Sequence, residues 1–301
     1  MKLDELKELI SCLPEGRTLF TYGKDLYAAQ LLSYQLQTPQ AIHELRNSPF
    51  AHLIQKPKIR QHLGKLGKSV VSADDLKLFQ PDQFETFRLK LDHYHGMQTS
   101  RKGKTGHNLV LQLNLNQSEH AFLKREVVDR EKDPFEFFFH PIHRGAHRTL
   151  AWARIDLDLE TGEALIEEVQ NDRIRECHWM LNYMREFKQE TYTRLGITFT
   201  KAFVEAYWNR YLAPLAKIWD EAMLSAAIKF IREELGLKRI FYHTMQSNKQ
   251  IKRDGADEAP RSIYTKLPSR FGFVLTDEAP SFLSKRKGSA TTPFQLMDLA
   301  G

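Results

Sequence analysis

The sequence predicts an α/β (α+β) fold: a mixed, mainly antiparallel sheet flanked by helices and preceded by a small helical N-terminal region. A change of period along the chain carries this reading. Leu3, Leu6, Ile10 and Leu13 recur at helical spacing near the start. From Leu109 the period becomes two, with Leu109, Leu111, Leu113 and Leu115 alternating with Val110, Gln112, Asn114 and Asn116. Residues 149–172 then read as two strands joined by the turn Glu160-Thr161-Gly162-Glu163, where Gly162 is free to take a positive φ.

In order, the first helix stops at Pro14 and Gly16, and residues 25–36 form a second amphipathic helix. Thr38-Pro39 and Ser48-Pro49 each pair a capping residue with proline at the first helical position. Residues 72–75, Ser-Ala-Asp-Asp, resemble a capping box. The helical region, 1–95, ends at a polar bridge with three glycines. The main domain is expected over 105–284. It comprises the strand from Leu109, a short aromatic strand at 136–140, the hairpin, and helices at 172–195 and 201–211. A longer helix opens at Pro214 and closes at Gly236, and 239–243 is a short buried strand. A short helix at 262–266 and a strand at 271–275 follow, and residues 285–301 read as a loose polar tail.

The chain of 301 residues has an ordinary globular composition, 42% hydrophobic and 11% aromatic, which excludes a disordered chain. A net charge of +6 is compatible with nucleic acid or another polyanion. Two cysteines, Cys12 and Cys177, make no disulfide framework and suggest a reduced, cytoplasmic setting. No apolar run approaches a membrane span, and acids inside the N-terminal pattern argue against a signal peptide.

The second hairpin strand is apolar where it begins and polar where it ends. Glu167, Glu168, Gln170 and Asp172 crowd that end, a common place for chemistry or binding. Strand alternation places Glu168 and Gln170 on one face and Glu167 and Asn171 on the other.

The segment from Glu221 onward resembles the closing half of the GNAT acyltransferase superfamily. A long helix leads to a strand, then come Asn248, Tyr264 and the pair Gly272-Phe273 in the family's order. The resemblance covers roughly residues 109–276 and implies an N-acyltransferase with acetyl-CoA or another acyl-CoA as donor and a small-molecule or peptide amine as acceptor. On that reading Glu168 or Glu167 is the base, Tyr264 the acid, and Gln170, Asp172, Asn248 and Trp219 shape the pocket. The family holds the cofactor diphosphate on a glycine-rich turn opening the long helix; the matching residues here, 211–214, contain no glycine and end in Pro214. Glu168-Val169-Gln170-Asn171-Asp172, with the later Tyr264-Thr265-Lys266-Leu267-Pro268, also resembles a signature domain of phage and mobile-element polyvalent proteins, which implies a non-catalytic binding module as an alternative.

Other motifs keep their plainer readings beside them. Asp156 or Asp158 with Glu168-Val169-Gln170 fits a Mg²⁺-dependent PD-(D/E)xK-like nuclease with Gln in place of Lys, or a structural hairpin. His140, His143 and His147, and His93 with His95, have spacings zinc can use, but no metal site is expected because proline and glycine interrupt the first group. The run around Gly103-Lys104-Thr105 nearly spells a phosphate loop but reads better as a basic loop. The basic stretch from Lys56 to Lys68 is a solvated helix face or a contact for nucleic-acid phosphates.

Overall fold

In a computed structural model of the chain the described residues are 1–12, 19–48, 50–96, 98–102, 105–124, 133–137, 139–143, 146–252, 260–283 and 292–299. The elements run α1 (Leu3–Cys12), β1 (Leu19–Tyr22), α2 (Leu26–Gln35), β2 (Gln40–Ala41), α3 (Ile42–Leu45), α4 (Ala51–Ile54), α5 (Pro57–Leu66), β3 (Val70–Val71), α6 (Ala73–Lys77) and β4 (Glu85–His95). Then come β5 (His107–Asn114), α7 (Gln117–Leu123), β6 (Thr149–Asp158), β7 (Glu163–Gln170), α8 (Arg173–Glu186), β8 (Thr191–Arg194), β9 (Ile197–Thr200) and α9 (Lys201–Tyr207). The rest is α10 (Trp219–Lys229), β10 (Arg239–His243), α11 (Met245–Lys252), α12 (Arg261–Tyr264), α13 (Lys266–Arg270), β11 (Val274–Thr276) and β12 (Phe294–Asp298).

An eight-stranded sheet in the order β1-β4-β5-β6-β7-β10-β12-β11 organises the molecule. Every neighbouring pair is antiparallel except β7 with β10, which is parallel. A parallel pair needs a long crossover. Here it consists of α8, the small β8–β9 hairpin, α9 and α10, with Gly236 at φ 70° closing the helical run.

The sheet is covered on both faces, and the two faces differ. Ala153, Ile155 and Leu157 of β6, Ala164 and Ile166 of β7, and Ile240 of β10 join the large apolar core, where α10 lies against β5, β6 and β7. Trp152, Arg154 and Asp156 alternate to the other face, and all three are buried. This second face carries charge, and it matters for the site.

Several expectations hold. Gly162 has φ 72°, and Ser72 caps α6, its Oγ accepting from the Asp75 N–H at 3.2 Å while the Asp75 carboxylate accepts from Ser72 N–H at 2.9 Å. Others need correction. The N-terminal region is not purely helical, since β1 and β4 belong to the main sheet. It is also tied to the rest by Glu221 of α10, which takes Lys24 Nζ at 2.6 Å, Tyr22 OH at 3.3 Å and Arg270 at 2.6 Å. The described residues at 136–140 are turn and coil, not strand. The helix expected over 172–195 stops at Glu186, and β8 follows. The strand expected at 271–275 starts at Val274, because Gly272 turns the chain at φ 85°. Helix α3 begins at Ile42 rather than at Pro39. Pro49, Gly103 and Lys104 lie outside the described residues.

The largest correction concerns the tail. Phe294–Asp298 is an inner strand, paired antiparallel to β10 on one side and β11 on the other. Phe294 is 1% exposed and its ring meets those of Phe241 and His243. Phe294→Ala is therefore predicted to cost about 3–5 kcal/mol of unfolding free energy in urea titrations. A loss under about 1 kcal/mol, the scale of a surface change, would contradict an inner position for this strand.

Candidate functional site

The pairing of β7 with β10 ends at Ile166 opposite Tyr242, yet β7 runs on to Gln170 while β10 stops at His243 and the chain turns into α11. The two strands thus form a fork. Sequence alternation also breaks at this point. Opposite β6, Arg154 faces Glu168 and Ile155 faces Ile166, so Glu167 is the extra residue of a β-bulge. The bulge turns both Glu167 and Glu168 to the charged face, which corrects the expectation that they point to opposite sides.

Glu167 is fully buried at the root of the fork. Lys252, the last residue of α11, donates from Nζ to the Glu167 carbonyl oxygen at 2.6 Å and sits 3.3 Å from its Oε2. A ladder partner would otherwise have to satisfy that carbonyl. Ser100 donates to the carboxylate through its N–H at 2.9 Å and its hydroxyl at 2.8 Å. His243 Nε2 lies 2.9 Å from Ser100 Oγ and 3.4 Å from Glu167 Oε2, and its Nδ1 lies 2.9 Å from Ser247 Oγ. Burial alone would raise the Glu167 pKa, but Lys252, His243 and Arg154 outweigh it and hold the carboxyl well below the usual range. Burial lowers the pKa of His243 and of Lys252, against the pull of Glu167.

Glu168 is buried too, though less completely, and pairs with the buried Arg154, whose Nε is 2.6 Å from Oε2 and whose Nη2 also donates to it. Burial pushes this carboxyl up, and Arg154 and Lys252 more than reverse the push. Arg154 further donates to the Gln98 carbonyl at 3.3 Å and stacks over Tyr94. Tyr264, 3% exposed in α12, packs its ring on Tyr242. Its pKa is raised by burial and then by the Glu168 carboxylate, with Arg154 acting the other way. No hydrogen bond joins Tyr264 to Glu168 among the described residues; the carboxylate acts on the phenol only as a nearby charge.

A cavity of about 100 Å³ opens beyond the fork, lined by Val169, Gln170, Asn171, Ile174, Arg175, Trp219, Pro260 and Ile263. Of the expected pocket residues, Gln170 and Trp219 line it and the others do not. Asp172 is buried and engaged by His140 Nδ1 at 2.7 Å and Arg175 at 3.2 Å. Asn248 is buried on α11, one turn before Lys252, and its Oδ1 has no hydrogen-bond partner among the described residues.

The other candidate motifs do not converge. Asp156, the partner of Glu168 in the nuclease alternative, is held by Arg101 at 2.7 and 2.8 Å and by the N-terminal ammonium at 3.2 Å; Asp158 receives the N–H groups of Glu160 and Thr161 in its own turn. His140, His143 and His147 contact Asp172, Lys90 and the Leu115 carbonyl in turn, three separate places. His95 and His107 stack face to face at 4.2 Å. In the basic stretch Lys56, Lys58 and Lys68 each face an acid: Asp25, Asp82 and Asp75.

Sequence reasoning missed Lys252, His243 and Ser100, which reach Glu167 from 67 to 85 residues away. It also missed Arg173, which has no exposed surface and pairs with Glu119, Asp133 and Glu136 at the start of α8. Arg154 was partly discoverable: the hairpin register that pairs Asp158 with Glu163 sets it opposite Glu167, and the bulge moves it opposite Glu168. Searches against protein-family models, curated proteins and solved structures found no match for this chain. The fold and site define a mixed α/β protein with an ion-paired strand fork.

Removing Lys252 leaves the buried Glu167 charge without its ammonium. Lys252→Met is predicted to cost about 3–5 kcal/mol in urea denaturation, and the double variant Glu167→Leu/Lys252→Met to recover most of it. Additive losses in the double variant would show that the two charges do not depend on each other.

Proposed function

We propose that the fork between β7 and β10 is the working site of an acyltransferase-like protein that modifies an amine. The observation that carries this reading is the early end of the parallel pairing, at Ile166 opposite Tyr242, with the buried Glu168 just beyond it on β7 and Tyr264 packed against Tyr242. The antiparallel strands leading to β7, the long helix α10 and the Tyr264…Gly272-Phe273 order support it. Glu168 stays ionised at neutral pH because Arg154 faces it, so it accepts a proton from the amine, at some cost in basicity. Tyr264 stays protonated and acts as a donor.

Acyl-CoA in the superfamily's usual mode does not fit. The segment before α10 is helical from Lys201 to Leu212 and contains Pro214 in place of a glycine turn. The first turn of α10 already carries Asp220 and Glu221, both paired with Arg270, which oppose an incoming diphosphate. Any thioester donor is therefore held by contacts other than a diphosphate on this helix.

One observation favours the second reading, a non-catalytic binding module: Lys252 fills the root of the fork and neutralises Glu167. A thiol-release assay with acetyl-CoA and a panel of amines and peptides separates the two. Transfer predicts release that falls about 100-fold or more in Glu168→Gln and in Tyr264→Phe. Ligand binding without release supports the module, and neither release nor acetyl-CoA binding at millimolar concentration ends the transferase reading.

A further inference from the structure

A histidine pair closes the β4–β5 ladder. Spacing along the chain sets His93 beside His95, but the strand register sets His95 directly opposite His107. Directly opposed residues on antiparallel strands share a face, with Cβ atoms about 5 Å apart. The two rings stand 4.2 Å apart, centroid to centroid, with their planes tilted by 20°. His95 is exposed and His107 half-buried, so solvent reaches the pair. His107 buries Nδ1 without a hydrogen-bond partner among the described residues, which leaves Nε2 as the ring atom it can offer. Burial, followed by the charges of His95 and His93, lowers the His107 pKa, so this imidazole is neutral at pH 7, the form that binds metals.

The surroundings narrow the choice of ion. Two cis ligands at a metal–nitrogen distance of about 2.1 Å stand about 3 Å apart, a spacing that a turn of the exposed His95 ring reaches. The His93 ring is farther off, 6.5 Å from that of His107, and its Nδ1 lies 3.4 Å from Asp92. No group of three or more His, Cys, Asp or Glu among the described residues converges as a metal would require, so water fills the remaining positions of any ion held here. A structural zinc site, closed by four protein ligands, is thereby excluded. Mg²⁺ and Ca²⁺ take oxygen ligands, which the pair does not supply. Cu²⁺ and Ni²⁺ accept imidazoles in cis positions of a tetragonal shell. The nearest fixed cation, the N-terminal ammonium beside the His107 carbonyl at 3.4 Å, is matched by Asp156 at 3.2 Å.

We infer that His95 and His107 form a two-imidazole site for a divalent transition ion of the Cu²⁺ or Ni²⁺ kind. The pair is the last rung of its ladder. The chain between the two histidines carries Ser100 to Glu167 and Arg101 to Asp156. An ion at the pair therefore ties together the two ends of the segment that supports the buried acids. The site stands apart from acyl transfer and does not depend on it.

The test is pulsed EPR of the full chain with substoichiometric Cu²⁺, which counts the coordinated imidazoles, together with a calorimetric Cu²⁺ titration in excess Mg²⁺. Two imidazoles and a saturable site that Mg²⁺ does not block are expected. His95→Ala and His107→Ala each remove one arm of the chelate and are expected to weaken binding at least about tenfold. His93→Ala is expected to leave it unchanged. If His107→Ala does not fold, His95→Ala, at an exposed position, decides the matter. A count of one imidazole or none, equal binding in the wild type and His95→Ala, or an equal loss in His93→Ala would overturn the site.

Discussion

The ammonium of Lys252 on the carboxylate and carbonyl of Glu167 is the interaction on which the rest of the site depends. A strand that leaves its ladder inside a protein exposes backbone groups to a poor solvent. Here β7 leaves β10 at Ile166, and Lys252 takes the place of the missing ladder donor. The same cation offsets the buried Glu167 charge. Without it the fork would have to close on β10 or admit water.

The bulge at Glu167 explains why so much charge collects at one place. It puts two consecutive carboxylates on the face that already carries Arg154 and Asp156, and each acid is matched to a base. Glu167 has Lys252, Glu168 has Arg154, and Asp156 has Arg101 and the N-terminal ammonium. Residues 98–101 are held over this face through Gln98, Ser100 and Arg101. Charges arranged in this way fix a geometry and keep both glutamates ionised. They also make each glutamate a weaker base than an unpaired one, so the same pairing that builds the fork limits what chemistry it performs.

Much of the sheet was legible in the sequence because its signals are local. The hairpin around Gly162, the alternating strand from Leu109 and the helix closed by Gly236 each depend on neighbours in the chain, and each is present. Strand β4 was less visible, since only Phe87 along its length is fully buried and charged residues occupy the positions between Phe87, Leu89 and Leu91. Strand β12 hides in a polar tail and is defined only by the two strands that flank it. The site was half legible. The acid-rich strand end was visible from strand-end polarity, and Gln170 and Trp219, named as pocket residues, line the cavity. The bulge, Lys252, His243 and Ser100 were not, because nothing local marks a register shift or a contact across most of a hundred residues.

Carboxyl-detected ¹³C NMR of the Glu167 and Glu168 side chains across an acid titration tests the central claim most directly. If both carboxylates are held by their buried cations, each titrates below the ordinary glutamate value of about 4.3 while the protein remains folded. A midpoint at or above that value for Glu167 would mean that burial prevails over Lys252, and that the fork is not built on this ion pair.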